Sequence, residues 1–318
     1  MTLTLFEEVK TNINGGIGQQ YSEANAATAF NGDRLAMLSS ITDGSAQLVV
    51  TSPPYNIGKS YETRVDIQNY LDEQEKTICE CVRTLSTNGS LCWQVGNHIT
   101  NDAEVIPLDI PIYSICKKFG LQLRNRIIWH FEHGLHCKNR FSGRYETILW
   151  FTKSKEYIFN LDPVRVPQKY PGKKNFKGAK VGEYSCNPLG KNPGDLWIIP
   201  NVKHNHCEKT DHPCQFPIEL VERLVLSLTE KDGLVVDPYM GVGSSLCAAV
   251  LNQRRGAGSD TNKEYVDIAV ERIQKAIDGT LAVRPIDRPV YQPSATSSVA
   301  KSPFPTIDDG PQFNFDEK

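Results

Sequence analysis

The chain has 318 residues, of which 39% are hydrophobic and 23% are charged, with 35 lysines and arginines against 37 aspartates and glutamates. This composition is typical of a folded globular protein and excludes disorder over most of the length. No segment approaches the ~18 consecutive apolar residues of a membrane span, and the first residues lack the layout of a secretory signal. We therefore expect a cytoplasmic protein with no membrane partner and with reduced cysteines.

The net charge of −2 conceals a basic segment in the middle of the chain. Residues 117–191 contain 16 lysines and arginines against 5 acidic residues. Such a concentration of positive charge is typical of a surface for an anion such as nucleic acid. A solvated lysine-rich loop without a partner is the alternative, and composition alone does not choose between them.

Strand and helix patterns alternate through the first half of the chain. Residues 1–28 are polar and weakly patterned, which indicates an N-terminal arm. The β-rich run at 47–51 ends at two prolines, which stop both strand pairing and helix formation. Further segments have helix or strand periodicity: 66–86, 90–95, 108–119, 121–131 and 145–152. The alternation predicts an α/β fold with a mostly parallel sheet.

The second half opens with an irregular stretch and then returns to regular patterns. Residues 156–210 are rich in proline, glycine, lysine and asparagine, and their length without periodicity predicts a functional insertion. A helix from Pro217, an apolar strand at 234–236 and a helix from about Ser244 follow. Prolines and small polar residues over 280–318 indicate a flexible C-terminal tail.

A glycine-containing loop follows the apolar strand at 234–236. It reads Asp-Pro-Tyr-Met-Gly-Val-Gly-Ser from Asp237 to Ser244. The glycines allow the backbone to approach a nucleotide-like group, and the N-terminus of the next helix favours negative charge. Asp260 ends the next strand-like stretch, where a carboxylate can accept hydrogen bonds from ribose hydroxyls. Because Leu246 occupies the place of the third glycine of a dinucleotide fingerprint, the loop predicts a different nucleoside site.

A second motif, Thr-Ser-Pro-Pro-Tyr-Asn at 51–56, directly follows the first β-rich run. Together with the glycine loop, it resembles the DNA amino-methyltransferases, which transfer a methyl group from S-adenosylmethionine to N6 of adenine or N4 of cytosine. Three more segments resemble parts of that family: residues 32–33, residues 144–151 and the His-Pro-Cys-Gln-Phe-Pro element at 212–217. The catalytic loop comes first, the basic segment next and the methyl-donor loop last, which resembles the β-class arrangement.

The resemblance implies a Rossmann-like methyltransferase sheet with a circularly permuted order of motifs. It divides the chain into an arm (1–28), a catalytic half (29–155), a DNA target-recognition insertion (156–210), an S-adenosylmethionine-binding half (211–279) and a tail (280–318). It implies double-stranded DNA as the substrate. A cognate restriction endonuclease and a second copy of the chain are further partners that it suggests.

The resemblance also assigns roles to individual residues. The implied catalytic residues are Ser52, Pro53, Pro54 and Tyr55. The implied donor-binding residues are Asp33, His212, Gln215, Phe216, Asp237, Tyr239, Gly241, Gly243, Ser244 and Asp260. The implied DNA-binding residues are Arg140, Arg144, Lys169, Lys173, Lys174, Lys177 and Lys180. No metal is expected, since the histidines and cysteines between 204 and 214 fit no common zinc spacing.

The chemistry explains why such a loop is needed. An exocyclic amine is a poor nucleophile because its lone pair is delocalised into the ring, and in duplex DNA the base must first be rotated out of the helix. We expect the Ser52 hydroxyl and the Pro53 carbonyl to accept the amine hydrogens, while Tyr55 stacks on the base. The prolines hold these groups in place before reaction. Since Ser52 is neutral, the proton is expected to leave after methyl transfer.

Several alternatives remain open from the sequence. Adenine N6 is the favoured target because the segments at 51–62 and 212–217 look more like adenine enzymes of the β class, whereas Ser52 is associated with N4-cytosine enzymes. Methylation of RNA or of protein glutamine is a further alternative, although the glycine loop normally precedes the proline loop there. A DNA-binding relative without catalysis is the non-enzymatic alternative. Taken alone, Ser-Pro-Pro-Tyr would predict only a turn.

Overall fold

The computed structural model describes residues 15–59, 62–131, 134, 136–203, 205–286, 288–291, 294 and 296–298. The chain forms two compact units, Met1–Arg288 and Pro289–Lys318. Residues 1–14 of the predicted arm and most of the predicted tail lie outside the described residues. Every helix and strand given below belongs to the first unit.

Among the described residues, nine strands form the main sheet and two more form a small hairpin. In chain order the strands are β1 (Ile17–Gly18), β2 (Ala27–Asn31), β3 (Ala46–Thr51), β4 (Leu85–Val95), β5 (Asn97–Ile99), β6 (Val105–Pro107), β7 (Gln122–His130), β8 (Tyr145–Thr152), β9 (Leu196–Ile198), β10 (Leu234–Asp237) and β11 (Arg255–Asp260). The sheet order is β1-β2-β11-β10-β3-β4-β8-β7-β9, while β5 pairs with β6. Of the nine strands, β8 is the one that runs antiparallel to its neighbours, which confirms the predicted mostly parallel sheet.

Helices cover both faces of this sheet. They are α1 (Arg34–Ser40), α2 (Ile67–Thr84), α3 (Asp109–Lys118), α4 (Ile218–Leu228), α5 (Ser244–Leu251) and α6 (Lys263–Ile277). Apolar side chains of α1, α2 and α3 pack in one core layer, and those of α4, α5 and α6 pack in the other. Burial of this apolar surface stabilises the three-layer arrangement. In the described part of the chain, no helix is both long and apolar enough to cross a membrane.

The structure extends regular packing into segments that the sequence suggested were peripheral. Within the predicted arm, β1 and the beginning of β2 form one edge of the sheet. Within the predicted tail, Leu281 and Val283 pack against the core, and Arg284 is buried in an ion pair with Glu219. The insertion is largely irregular, apart from a short turn of 3-10 helix at Asp162–Val164 and β9, which extends the sheet beside β7.

Candidate active site

The two sequence motifs meet at one edge of the sheet. Strands β3 and β10 are parallel neighbours, so their carboxyl ends lie side by side. The hydroxyl of Thr51, at the end of β3, donates a 2.6 Å hydrogen bond to Asp237 at the end of β10, and the hydroxyl of Ser245 donates to the other carboxylate oxygen. Asp237 is fully buried, and burial raises its pKa to about 6. Its carboxyl group therefore joins the proline loop to the glycine loop.

A cavity of about 490 Å³ lies beside these loops, and we call it the donor cavity. Its lining includes most of the residues predicted to bind the donor: Asp33, His212, Gln215, Phe216, Tyr239, Gly241, Ser244 and Asp260. Asp237 and Gly243 are not among the described residues that line it. Asp237 lies beneath the loop, and Gly243 faces the opposite way, toward Ala269 on α6. Both support the cavity from behind.

Acidic side chains stand at two strand ends around the donor cavity. Asp33 follows β2 and caps α1, accepting a 2.8 Å hydrogen bond from the Leu35 amide. Asp260 ends β11 and accepts a 2.8 Å hydrogen bond from the Asn262 amide. Burial raises the pKa of Asp260, while backbone hydrogen bonds act in the opposite direction. Carboxylates at the ends of adjacent parallel strands suit hydrogen-bond donors of a nucleoside, such as ribose hydroxyls.

Gly243 gives a test of how the loop is built. Its φ of +74° is unfavourable for other residues, and an added Cβ would lie 2.9 Å from the Cβ of Ala269. We expect Gly243→Ala to lower the free energy of unfolding by about 2–4 kcal/mol, combining backbone strain with overpacking. Gly279→Ala is the matched control, because Gly279 has a φ of +70° and an added Cβ would meet no atom within 4 Å. If chemical denaturation gave the same loss of unfolding free energy for Gly243→Ala and Gly279→Ala, the contact with α6 would be unimportant.

His212 stands between the donor cavity and a second cavity. Its ring packs edge-on against Tyr265 at a centroid distance of 4.5 Å, and its Nδ1 accepts a hydrogen bond from the Cys214 amide. Burial lowers its pKa to about 4, with Lys209 and Arg272 acting in the same direction. The imidazole is therefore neutral near pH 7, and it adds no positive charge where a sulfonium donor would bind.

The second cavity, of about 260 Å³, is lined by the whole predicted catalytic loop, Ser52, Pro53, Pro54 and Tyr55. We call it the base cavity. Trp129, Phe131 and Lys203 contribute to its wall. The two cavities share part of their lining: Pro54, His212, Cys214, Gln215 and Phe216. A flat aromatic group in the base cavity would therefore stand next to a group bound in the donor cavity.

A hydrogen-bonded network lies at the bottom of the base cavity. Tyr55 Oη is 3.0 Å from Ser52 Oγ and donates a 3.0 Å hydrogen bond to Glu146 Oε2. Gln94 Nε2 donates to the same Glu146 oxygen at 2.6 Å. Burial raises the pKa values of both Tyr55 and Glu146. Glu146 lies in the segment 144–151 that resembles the methyltransferase family, but neither Glu146 nor Gln94 was among the site residues predicted from the sequence.

Other contacts that fix the catalytic loop were also missed from the sequence. Asn56 adopts a φ of +57°, and its side chain makes two hydrogen bonds with the backbone of Val65. Glu62 accepts hydrogen bonds from the amides of Asn56 and Ile57. Gly96 leaves room for the Tyr55 ring, since an added Cβ would lie 2.9 Å from Cε2 of that ring. The position of Gly96 just after a strand was a signal in the sequence that another group approaches closely there. The local sequence did not show that this group is the Tyr55 ring.

The predicted DNA-binding residues lie outside both cavities, on loops at the surface. Arg144 is half-buried and bonds to Gly143 and His136, whereas the others are exposed: Arg140, Lys169, Lys173, Lys174, Lys177 and Lys180. Lys169 lies over the ring of Tyr170, and Lys174 over that of Tyr184. The isolated bridge between Lys174 and Tyr184 folds this segment back on itself. It presents lysines and aromatic rings together.

The sheet, its single reversed strand and the adjacent cavities define a Rossmann-like methyltransferase. Comparison with known proteins gives the family, since a family model described as DNA methylase, for N6 and N4 methylation, matches residues 46–271. The chain therefore belongs to the N6/N4 DNA methylases, which confirms the family resemblance of its motifs. It is a DNA methyltransferase that uses S-adenosylmethionine.

Relatives and solved structures agree with this assignment. The type II methyltransferase M.BglII of Bacillus subtilis is 47% identical over 265 residues, which cover 83% of this chain and 74% of the relative. The DNA adenine methyltransferase YhdJ of Escherichia coli K12 is 30% identical over 257 residues, which cover 79% and 84%. The structure of TTHA0409 from Thermus thermophilus complexed with S-adenosyl-L-methionine has a TM-score of 0.55, with 27% identity and coverage of 79% and 96%. PvuII DNA methyltransferase, cytosine-N4-specific, has a TM-score of 0.60 at 22% identity, covering 80% and 92%.

Proposed function

We propose that the base cavity receives a nucleotide rotated out of double-stranded DNA and presents its exocyclic amine to the methyl group of a donor in the donor cavity. The observation that carries this proposal is the wall shared by the two cavities. It is formed by Pro54, His212, Cys214, Gln215 and Phe216. Ser52 and Tyr55 line the base cavity next to that wall. Its small volume and aromatic lining suit one flat base.

We assign the contacts with the donor to residues that line the donor cavity. Asp260 accepts the ribose hydroxyls, Asp33 lies near the adenine, and the segment from His212 to Phe216 flanks the methionine part. Asp237 and Gly243 act indirectly, by fixing the loop that contains Gly241. When bound, S-adenosylmethionine supplies an electrophilic methyl group on a positively charged sulfur.

Two amines are candidates for methylation. Adenine N6 is favoured by the similarity to YhdJ, whose name states adenine as its target. Cytosine N4 is favoured by Ser52, because serine at this position resembles the N4-cytosine enzymes. Chromatography and mass spectrometry of nucleosides, from DNA of cells that express the protein, would detect N6-methyladenine or N4-methylcytosine. Sequencing that detects modified bases would give the target site in the same DNA. If the DNA contains neither N6-methyladenine nor N4-methylcytosine, the proposal is refuted.

We assign DNA contact to the lysines of the insertion. Lys173 and Lys174 are exposed and lie in the segment that carries Tyr170 and Tyr184. Replacing both lysines by alanine is expected to weaken DNA binding and to reduce the salt dependence, the slope of log K against log salt, by about 2. Fluorescence anisotropy over a salt series measures this slope.

The matched control for this prediction is the pair Lys76→Ala and Lys118→Ala. These lysines are similarly exposed, but they lie on α2 and α3 and pair with Glu73 and Glu75. The control should leave the slope unchanged. If the Lys173 and Lys174 variant also keeps the wild-type slope, this segment lies outside the DNA interface.

The proposal extends to the partners and the location of the protein. A type II methyltransferase protects the sites of a restriction endonuclease, so we assign a cognate endonuclease as the biological partner by similarity to M.BglII. Action on DNA fits a cytoplasmic location. A second copy of the chain is the remaining partner, and the mass measured by light scattering during gel filtration tests it.

A further inference from the structure

Two hydroxyl groups connect the reacting face of the base cavity to a carboxylate. Ser52 Oγ, Tyr55 Oη and Glu146 Oε2 are linked by successive contacts of 3.0 Å. Gln94 holds the far end, because its Nε2 donates to Glu146 Oε2 at 2.6 Å. Strand β4 provides Gln94 and strand β8 provides Glu146, and these strands pair directly beside each other. Rigid sheet backbone therefore fixes the carboxylate end of the chain of contacts.

The donors and acceptors of this network determine which hydroxyl donates each hydrogen bond. Both Tyr55 and Gln94 donate to Glu146, an arrangement that an ionised carboxylate accepts fully. Tyr55 uses its single proton in that bond, so Ser52 must donate its own proton to Tyr55 Oη. The lone pairs of Ser52 Oγ then remain to accept hydrogens of the target amine. The orientation of the Ser52 hydroxyl that catalysis needs therefore depends on the negative charge of Glu146, which acts through the Tyr55 hydroxyl.

We propose that Glu146 is the terminal proton acceptor of the methyl transfer and that Ser52 and Tyr55 form a hydroxyl relay to it. The inference rests on the proposed function, because it requires an amine bound beside Ser52. Glu146 is a positioning residue while it is ionised, since it orients Ser52 through Tyr55. It becomes the proton store once the methyl group has moved.

The proton count balances in this scheme. The amine nitrogen forms a bond to the methyl carbon, and the carbon–sulfur bond breaks with its electron pair on sulfur. The positively charged nitrogen then releases one proton to Ser52 Oγ. In a concerted movement the Ser52 proton passes to Tyr55 and the Tyr55 proton passes to Glu146, leaving a neutral methylated amine and a neutral carboxylic acid. Because burial raises the pKa of Tyr55, the phenol relays a proton without persisting as a phenolate.

The surroundings suit a group that changes its charge. Burial raises the pKa of Glu146, whereas Gln94, Tyr55 and the positive charge of Lys203 lower it, and the net change is upward. Lys59, His212 and the Cys214 thiol are the other titratable groups lining the cavity. Burial lowers the pKa of His212 to about 4, so its ring is neutral near pH 7. A carboxylate with a raised pKa is a better proton acceptor than an ordinary surface glutamate.

The test is the pH profile of single-turnover methyl transfer on amplified, unmodified DNA of random sequence. Enzyme is in excess and radiolabelled S-adenosylmethionine is saturating at every pH, so that a lower donor affinity at acid pH does not limit the rate. For the wild type, the rate should fall on the acid side at a pH above the ordinary glutamate pKa, because Glu146 must be ionised. Glu146→Gln should be about 100-fold slower and should lose this acid limb. Tyr55→Phe should be similarly slow, and the double variant should be no slower than either single one.

Two further measurements separate this role from a structural one. Donor affinity by calorimetry should stay within about 2-fold of wild type in Glu146→Gln, and the exposed control Glu271→Gln should match the wild type throughout. Infrared difference spectra of the donor-free enzyme should contain a titrating carboxylic-acid band that Glu146→Gln lacks, beside the band of Asp237, which both proteins keep.

Different results would contradict the relay and the proposed function. A Glu146→Gln variant that keeps the wild-type rate and acid limb would overturn the relay, as would additive effects of Tyr55→Phe and Glu146→Gln. A folded wild-type enzyme that methylates no amine in any DNA would instead refute the proposed function. Loss of donor affinity equal to the loss of rate would show that Glu146 is only structural.

Discussion

Replacing Ser52 by alanine is expected to slow methyl transfer by about 100-fold or more while leaving the affinity for S-adenosylmethionine nearly intact. Ser52 lines the base cavity, and it is not among the described residues that line the donor cavity. In the proposed mechanism its hydroxyl is the acceptor next to the target amine, and losing one preorganised polar group of an active site typically costs about 10²- to 10³-fold in rate. Single-turnover kinetics and donor calorimetry measure the two quantities separately.

The exposed Ser114 on α3 provides the matched control for this prediction. Its hydroxyl bonds only within its own helix, to the Ile110 carbonyl, so Ser114→Ala should leave both quantities unchanged. Ser52→Ala should also keep the Tyr55 ring in place, because Glu146 accepts the Tyr55 hydroxyl independently of Ser52 and Gly96 leaves room for the ring. A Ser52→Ala enzyme with normal rates would remove this hydroxyl from the chemistry.

Replacing Asp260 by alanine is expected to weaken binding of S-adenosylmethionine by about 10- to 100-fold. A hydrogen bond to a charged group contributes about 1.5–3 kcal/mol, which corresponds to this range of affinity. Asp260 ends β11 and lines the donor cavity, and it also accepts the Asn262 amide. Calorimetric titration with the donor gives the change in affinity, and a thermal unfolding curve shows whether the loop is still folded.

The effect of pH provides a second measurement on the same residue. Because burial raises the pKa of Asp260, the carboxylate that we propose binds the donor is present above this pKa and is lost as pH falls through it. Donor affinity of the wild type should therefore fall at acid pH, and that of Asp260→Asn should be weaker and flatter. Asp267→Asn, on the outer surface of α6, is the control. Donor affinities that are the same in Asp260→Ala and the control would exclude a ribose contact.

The fold was largely predictable because its signals are local. Apolar periodicity and proline placed β3, α2, α4 and β10 close to their observed ends. The edges of the unit were less predictable. The residues around Ile17 are too few and too polar for a strand pattern, and they become a strand through pairing with β2. Arg284 sits in a polar, proline-containing stretch, and its burial depends on Glu219 of α4.

The sequence by itself determined the family and the two loops, because glycine, proline and strand-end positions act through the local backbone. Of the ten residues that it predicted to bind the donor, eight line the donor cavity. Only the tertiary structure decided that Asp237 supports the loop from within, through a hydrogen bond to Thr51, which lies 186 positions away in the chain. It also decided that Glu146, 91 positions after Tyr55, stands beneath the catalytic loop. Such partners follow from strand order and register, which depend on contacts between distant segments and leave no mark in local sequence.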